Sequence, residues 1–439
     1  MIRVIRQIAV IAVMSATSVY GQEAVRMSAG RLFMLADKQN VDIMASEAHV
    51  STAAQGIAVA ENSRLPQINA SLTLSYLGDG TVMDRNFKNS MRDPLPHFSN
   101  TLGVELYQPL YTGGAVTAGI NLARKEKDMA VNSRCETVNS VRMNLITNYL
   151  ELAKHRNLLQ VYDESIRRTE KLITEMKTKH SQGVVLKNDI TRQELRLSSL
   201  KYDRLATENA IKIFNGNLVS LLGLDYGTEI IPDIDADGHL EMAGDEESWR
   251  ESAQANSPAL KSIGLMMDME RLSSKISHAE YIPNIGIVAG DNLLGPVTFE
   301  VPALNKNYNA WFVGVNVKWN ISSLFTTSKA IRKHDLELVS LKARRSAAAA
   351  DIERRLAQAL TLYRQSVERL EIERKNVQLA DENYSVVYNR FLNQLALLTD
   401  MLDASNERLD AGVRLVNAEI STRFYFYQLH YIAGTLNTL

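Results

Sequence analysis

The chain has 439 residues, of which 45% are hydrophobic, and its 49 lysines and arginines nearly balance 50 aspartates and glutamates. This balance and the single cysteine exclude an overall basic nucleic-acid-binding protein, an intrachain disulfide framework and a multi-cysteine metal site. The 22 glycines and 9 prolines occupy 31 positions, whereas average usage predicts roughly fifty. The shortage favours long uninterrupted helices over a loop-rich enzyme, a β-sandwich or a disordered chain.

The N-terminal segment, residues 1–21, has the pattern of a secretory signal peptide. Arg3 and Arg6 precede an apolar run, and small residues occupy the −3 and −1 positions of a cleavage site after Gly21. We therefore expect an exported protein. No later run of 18 apolar residues occurs, so no transmembrane helix is expected.

Long helices are predicted for most of the mature chain. Neither Gly nor Pro occurs from 120 to 182 or from 315 to 411, and apolar residues recur there three or four positions apart. This spacing indicates coiled-coil seams with solvated charged faces. The predicted helices are 23–62, 113–179, 186–222, 248–280, 325–391 and 398–437.

Four segments alternate between apolar and polar residues and predict β-strands at about 67–77, 100–109, 284–291 and 310–320. An ordinary sheet packed on a helix explains any single segment, but four of them after an export signal favour transmembrane strands. We expect aromatic residues at the membrane interfaces, namely Tyr76, Tyr107, Trp311 and Trp319. Four strands cannot close a barrel, because the smallest outer-membrane barrels have eight. Several copies of the chain are therefore required.

The chain also shows an internal duplication. Residues 104–110 align with residues 315–321 at a shift of 211, which also takes Asp189 to Asp400. The predicted organisation is a first repeat at 22–223, a joining segment at 224–247 and a second repeat at 248–439.

The order and spacing of these features resemble the TolC family of outer-membrane efflux channels. The resemblance rests on the duplication, on Leu65–Ile68 and Gln108–Gly114 around the first strands, and on two helix-turn-helix signatures. These are Lys179–Val184 with Asp189, and Arg390-Phe391 followed by residues 400–404. It implies a mixed, mainly α fold, in which a homotrimer builds a twelve-stranded transmembrane β-barrel above a periplasmic coiled-coil barrel.

The resemblance also implies partners and a function. A periplasmic adaptor protein and an inner-membrane pump, of the RND or ABC type, would feed the channel, and outer-membrane lipid would surround it. Small toxic compounds, or secreted proteins, would then leave passively through the outer membrane. No nucleic acid, cofactor or metal is implied, and we expect no enzymatic activity.

A gate at the helix-turn-helix tips is implied as well. Asp189 occupies the position of the family's gate aspartate, which accepts hydrogen bonds from a tyrosine and an arginine of the second hairpin. Phe391 and Ala396 stand at those two positions, and neither side chain can donate. Arg390 or Lys187 could replace the polar contact, but we expect packing to close the mouth. The predicted gate residues are Asp189, Arg390, Phe391, Leu395 and Leu397.

Asp400 and Asp403 match the family's constriction aspartates. Residues three apart lie on one helix face, so three chains would stack two acidic rings that favour cations. The alternative is that both carboxylates only stabilise the helix N-terminus. The tips would also dock the adaptor, with Gly183, Val184 and Val185 in the first half. The matching residues of the second half are Asn393 and Gln394; because Gln394 replaces a glycine, we expect that tip to differ in shape.

Enzyme motifs are absent from the sequence: no GxGxxG, GxxxxGK[ST] or GxSxG occurs, and the eight histidines form no HxxxH pair. The alternative function is an exported coiled-coil scaffold without a pore. The alternating segments distinguish the two, since lipid or detergent protects them from protease only in a channel.

Overall fold

The computed structural model describes residues 24–234, 245–300 and 302–438. The predicted signal peptide and part of the predicted joining segment lie outside these residues. Within them the chain forms eight α-helices: α1 (Ala29–Gln39), α2 (Val41–Glu61), α3 (Ala115–Ser181), α4 (Lys187–Leu222), α5 (Glu246–Asn256), α6 (Pro258–Ala279), α7 (Ser323–Leu392) and α8 (Leu398–Ala433). The strands are β1 (Ala24–Met27), β2 (Gln67–Tyr76), β3 (Gly80–Val82), β4 (Met91–Asp93), β5 (Phe98–Tyr111), β6 (Glu229–Pro232), β7 (Asn284–Gly295) and β8 (Tyr308–Lys318).

The chain divides into two compact units. One, the strand unit, comprises residues 46–135 and 258–351 and contains the four long strands. The other, the hairpin unit, comprises the described residues up to 45, those from 136 to 257 and those from 352 onward. α3 has 67 residues and α7 has 70, and each contributes to both units. No helix among the described residues is both long and apolar enough to cross a membrane.

The strand unit is built on a four-stranded antiparallel sheet in the order β2-β5-β7-β8. All four predicted strands are present, although β5, β7 and β8 extend beyond or start before the expected limits. A register shift between Pro109 and Tyr111 marks a bulge where β5 approaches α3. Because β2 and β8 pair on one side only within this sheet, both of its edges are open.

The register gives the sheet one mainly apolar face, interrupted by Asp291 and Asn309, and one mixed face that carries Val288 and Phe312 beside polar residues. Ile68, Leu106, Ala289 and Val313 pair successively across the four strands and therefore share a face. Neighbouring Gln67, Asn69, Ser71 and Thr73 point to the other face. Both faces of β2 are exposed, as expected for a sheet with lipid on one side and water on the other.

The hairpin unit consists of two helical hairpins. α3 turns into α4, and α7 turns into α8, after turns of five residues each. The predicted apolar seam of α3 is confirmed as core, since Leu145, Tyr149 and Leu152 are fully buried. At the tips, one apolar cluster joins all four helices: Leu172, Ile173, Met176, Ile190, Tyr384, Phe391 and Met401.

Two segments that were each predicted as one continuous helix are divided in the structure, so both predictions are wrong. The segment 23–62 begins instead with β1, which pairs in parallel with β6, and it breaks at Asn40. The Asn40 carboxamide accepts the backbone N–H groups of Asp42 and Ile43, so it caps a new helix. The segment 248–280 divides at Pro258, which has no N–H and therefore begins α6.

Candidate functional site

The first hairpin tip reverses at Gly183, whose φ of +79° lies in the left-handed region. The N–H of Gly183 donates to His180 O and that of Val184 to Lys179 O, the pair of bonds that closes a helix C-terminus. His180 Nδ1 lies 2.6 Å from Val185 O and joins the two sides of the turn. Val184 is exposed and Val185 is half-buried against the tip cluster.

The second tip has the same backbone geometry, contrary to the expectation that Gln394 would change it. Gln394 adopts φ of 61°, and its N–H donates to Phe391 O while that of Leu395 donates to Arg390 O. The two tips therefore share one turn type. The prediction of a different shape was wrong because the conformational cost of a left-handed Gln394 is offset by the hydrogen bonds of the turn.

Phe391 lies in the tip cluster and is only 8% exposed. Its ring packs between the two hairpins of one chain, so it is committed to the protein's own core. Leu395 and Leu397 are 67% and 69% exposed at the turn. Of the three residues expected to close the mouth by packing, these two are free to meet another copy.

The two hairpins are joined near the tips by polar contacts that sequence reasoning missed. Lys179 Nζ donates to Leu392 O at 2.6 Å and to Phe391 O at 3.4 Å, and it lies 5.4 Å from the centre of the Phe391 ring. The lysine thereby places its charge at the C-terminus of α7, where the helix dipole favours a cation. The sequence did place Lys179 in the first tip signature, but it could not identify the acceptors, because Phe391 O and Leu392 O lie more than 200 residues away in the chain.

A second contact lies one turn deeper. Tyr388 Oη donates to Glu175 Oε1 at 2.7 Å, and the Lys171 ammonium lies 5.7 Å from the centre of the same tyrosine ring. Burial and the hydrogen bond to Glu175 raise the pKa of Tyr388, so the phenol stays a donor. We call Lys179, Glu175 and Tyr388 the hairpin clamp.

Two predicted gate residues have no such partners. Asp189 is half-buried at the start of α4, and Arg390 is exposed near the end of α7. Within the part of the chain that the structure describes, neither side chain makes an ion pair. The structure therefore does not bring Asp189 and Arg390 together within one chain.

The two predicted constriction carboxylates differ in their surroundings. Asp400 Oδ2 accepts the backbone N–H of Leu397 at 3.0 Å and so caps the first turn of α8. Asp403 is exposed and has no hydrogen-bonding partner among the described residues. Both project from the first turns of α8, but only Asp400 has a structural role within the chain.

The predicted interface aromatics do not all share a face. Tyr76 and Trp311 follow the apolar set of the sheet and are highly exposed, whereas Trp319 lies just beyond β8 and its Nε1 donates to Tyr281 O at 3.2 Å. Tyr107 pairs with Gln67 on the mixed face, which corrects its assignment to the lipid interface. Its ring covers Gly286, where a Cβ would lie 2.5 Å from a ring carbon. Because of the bulge, Tyr111 pairs with Ile285 and lies on the apolar face instead.

Comparisons with known proteins agree with this geometry. Residues 32–224 match the family model described as outer membrane efflux protein. The outer-membrane channel OprN superposes with a TM-score of 0.76 at 14% identity, covering 93% of this chain and 90% of that one. VceC of Vibrio cholerae gives 0.74 at 14% identity, with 93% and 96% covered, and the Campylobacter jejuni CmeC channel gives 0.76 at 13% identity, with 93% and 86% covered. No curated protein sequence matches the chain.

Over more than nine-tenths of its length the chain therefore shares the fold of these outer-membrane channels. The match to the outer membrane efflux protein family covers 193 of the 439 residues, from 32 to 224.

Proposed function

We propose that three copies of this chain form one channel through which small toxic compounds leave the periplasm. A periplasmic adaptor protein would dock on the hairpin tips, and an inner-membrane pump would supply the energy. The channel itself contributes a passive, gated path. Secreted proteins are the second substrate class that the same architecture would accept.

The observation that carries this proposal is the pair of open sheet edges. In lipid, each unpaired backbone group costs several kcal/mol, so β2 and β8 require partners. β2 and β8 run in opposite directions because the sheet is antiparallel throughout. Edge β8 of one copy therefore fits edge β2 of the next as an antiparallel pair, and three copies give twelve strands.

The tips supply the proposed gate and docking surface. Leu395 and Leu397 are exposed at the second turn and would pack across the mouth, with Phe391 anchoring that turn from inside the chain. Asp189 and Arg390 remain candidates for a polar contact between copies. Gly183, Val184, Val185, Asn393 and Gln394 form the two matching turns on which an adaptor would dock.

The test of the proposed function is a deletion strain complemented with this gene. Restored resistance to dyes and antibiotics, together with ion conductance of the purified protein in planar bilayers, is the expected result. Restored secretion of a protein without restored resistance would instead assign the second substrate class. A purified protein that is neither trimeric nor conductive would refute the channel.

The sheet faces allow a sharper test with two neighbouring residues of β8. Val315→Lys places a charge on the apolar face, at a cost of about 2–4 kcal/mol near the bilayer centre, and we expect it to reduce insertion into the outer membrane. Asn316→Lys places the same charge on the mixed face and should insert normally. Quantifying both variants in outer-membrane fractions checks this; equal insertion would mean that the apolar face does not meet lipid.

A further inference from the structure

The mainly apolar face of the four-stranded sheet carries one charged side chain, Asp291 of β7. The other residues of that face on β2, β5, β7 and β8 are uncharged, whereas Glu105 and Lys318 lie on the mixed face. A carboxylate on a surface that meets lipid is costly, and ionisable residues in such places are rare and mark functional sites. Asp291 therefore requires a partner that compensates its charge.

Two residues of the neighbouring strand β8 lie beside this carboxylate. Trp311 is directly opposite Asp291 in the register, and Asn309 follows on the same face, one pair further from the helices. Asn309 Nδ2 donates to Asp291 Oδ1 at 2.6 Å, so the carboxylate leans toward the end of the sheet that is away from α6 and α7. Trp311 is 75% exposed. We call Asp291, Asn309 and Trp311 the Asp291 notch.

The Asp291 notch has the chemistry of a cation site without a cation of the chain in it. Among the residues that the structure describes, Asp291 forms no ion pair, and Asn309 offers it only a neutral N–H group. The indole ring of Trp311 has a negative face that attracts positive charge. A carboxylate and an aromatic face side by side therefore favour a positively charged group from outside the chain.

The Asp291 notch lies where the apolar run of β8 ends. Toward α7 the same face continues through valines as far as Val317, whereas beyond Trp311 it carries Asn309. Strands of a membrane barrel are tilted by about 40°, so this boundary runs obliquely across the sheet to Tyr76 on β2. Aromatic residues of such barrels lie level with the lipid headgroups. Because β7 and β8 join α6 and α7 at their other ends, the notch faces the headgroups of the leaflet away from the helices.

Resting on the proposed membrane channel, we infer that the Asp291 notch binds the primary ammonium group of a lipid headgroup, such as phosphatidylethanolamine carries. Asp291 accepts a charge-assisted hydrogen bond from the ammonium, and Trp311 presents its ring face to the same charge. A phosphate group does not fit, because the three residues of the notch include a carboxylate and no lysine or arginine. A divalent cation fits poorly, since Asn309 turns its NH₂ group toward Asp291 and the notch then supplies the oxygens of one carboxylate alone.

The lipid selectivity of the purified full-length trimer tests this site. The protein is reconstituted in phosphatidylcholine vesicles that also contain either phosphatidylethanolamine or phosphatidylglycerol, and the lipids that stay bound after extraction are identified by native mass spectrometry. The natural protein should retain phosphatidylethanolamine in preference to phosphatidylcholine. Asp291→Asn should reduce this preference about fivefold, because it removes an ion pair beside an aromatic ring. Asp291→Glu keeps the charge and should keep most of the preference.

Glu105→Gln is the matched control, because Glu105 is an exposed carboxylate of the same sheet on the opposite face. It should leave the lipid preference unchanged. Trp311→Leu stays apolar but removes the ring face, so it should lower the preference as Asp291→Asn does. This second variant changes no charge and keeps the inference testable if Asp291→Asn does not fold.

Each outcome decides between the site and the function on which it rests. Equal retention of phosphatidylethanolamine by the natural protein and the Asp291 and Trp311 variants would overturn the site. Retention of phosphatidylglycerol that requires Mg²⁺ and is lost in Asp291→Asn would overturn it as well, because the notch would then hold a metal ion bridged to phosphate. A natural trimer that conducts ions in planar bilayers but shows no lipid preference leaves the channel standing without the site. A protein that is neither trimeric nor conductive refutes the channel, and the site with it.

Discussion

At Gln394 a single residue holds an unfavourable left-handed backbone conformation, and the contacts around it keep it there. Gly183 reaches φ of +79° without a Cβ, whereas Gln394 holds φ of 61° with a full side chain. A left-handed conformation costs an L-residue about 1–2 kcal/mol. The turn persists because Gln394 and Leu395 donate the two bonds that end α7 and because Phe391 anchors the helix end in the tip cluster.

We therefore expect Gln394→Gly to stabilise the detergent-solubilised protein by about 0.5–1 kcal/mol, measured by thermal or denaturant unfolding. The control is Gln182→Gly in the first turn, where φ is not positive and the glycine brings only added freedom in the unfolded chain. That variant should be neutral or destabilised. Equal effects of the two substitutions would show that the turn at Gln394 is not strained.

His430 gives a prediction about pH. Its ring packs 4.7 Å from the Phe426 ring and 4.9 Å from that of Trp249, and its Nδ1 lies 2.8 Å from Thr435 Oγ1. Burial lowers the pKa of His430 to about 4, from 6.5 for an exposed histidine. The unfolded chain thus binds a proton in a range where the folded chain does not, so the free energy of unfolding falls as pH drops from about 6.5 to about 4.

We expect the melting temperature to fall between pH 7.5 and pH 5 in the natural protein and to fall less in His430→Gln, which cannot ionise. His49→Gln serves as the control, because His49 is an exposed residue of α2. It should keep the full pH dependence. If His430→Gln and the natural protein lose the same number of degrees, the buried imidazole is not the group responsible.

Among the elements, the sequence specified those whose pattern repeats over many residues. The four alternating segments and the two Gly- and Pro-free stretches gave the strands and long helices with errors of a few residues. β1 and β6 were missed because four residues contain too little alternation to distinguish a strand, and their parallel pairing joins segments 205 positions apart. Asn40 and Pro258 show the other limit, since capping and a missing N–H act at one residue within a pattern that otherwise continues.

The candidate site followed the same rule. Turn positions and carboxylates were found from motifs, but the hairpin clamp joins side chains on helices whose proximity no local pattern encodes. Tyr107 was misassigned on its aromatic ring alone, although its place next to Leu106 in the alternating segment already puts it on the opposite face. The register, which pairs Tyr107 with Gln67, agrees with the alternation.

The clamp yields a prediction at the level of the helix. Lys179→Met keeps most of the side-chain packing but removes the charge from the C-terminus of α7, which is worth about 0.3–1 kcal/mol. We expect faster amide hydrogen exchange in the last turn of α7 and the turn after it, by up to about fivefold. Single-channel conductance should rise if this end of α7 takes part in closing the mouth.

Lys177→Met is the matched control for the clamp. Lys177 lies on the same helix and pairs with Glu194 of its own hairpin at 2.9 Å, so its loss does not touch the second hairpin. Exchange at the end of α7 should then stay unchanged. If Lys177→Met and Lys179→Met accelerate amide exchange equally, the effect comes from destabilisation of the tips in general and not from loss of the hydrogen bonds that Lys179 makes.

For the whole molecule, the acidic residues of α8 acquire their proposed role only in the assembly. One chain presents Asp400 and Asp403 on one face of a helix, and three chains around an axis would turn them into two rings of three carboxylates. Rings of carboxylates attract cations and exclude anions from a narrow pore. Within one chain, however, Asp400 already has a partner in the N–H of Leu397, whereas Asp403 is exposed and makes no hydrogen bond among the described residues.

This difference separates the selectivity role from the structural one. We expect Asp403→Asn to lower the preference for potassium over chloride, measured from reversal potentials in a salt gradient, without changing the melting temperature. Asp400→Asn should lower the preference too, but it also weakens the capping hydrogen bond that Asp400 makes at the first turn of α8 and so should destabilise the tip. Removing a charge that faces the ion path must change which ions pass. If the reversal potential of the Asp400→Asn/Asp403→Asn double variant is unchanged, both carboxylates therefore serve only to stabilise the helix.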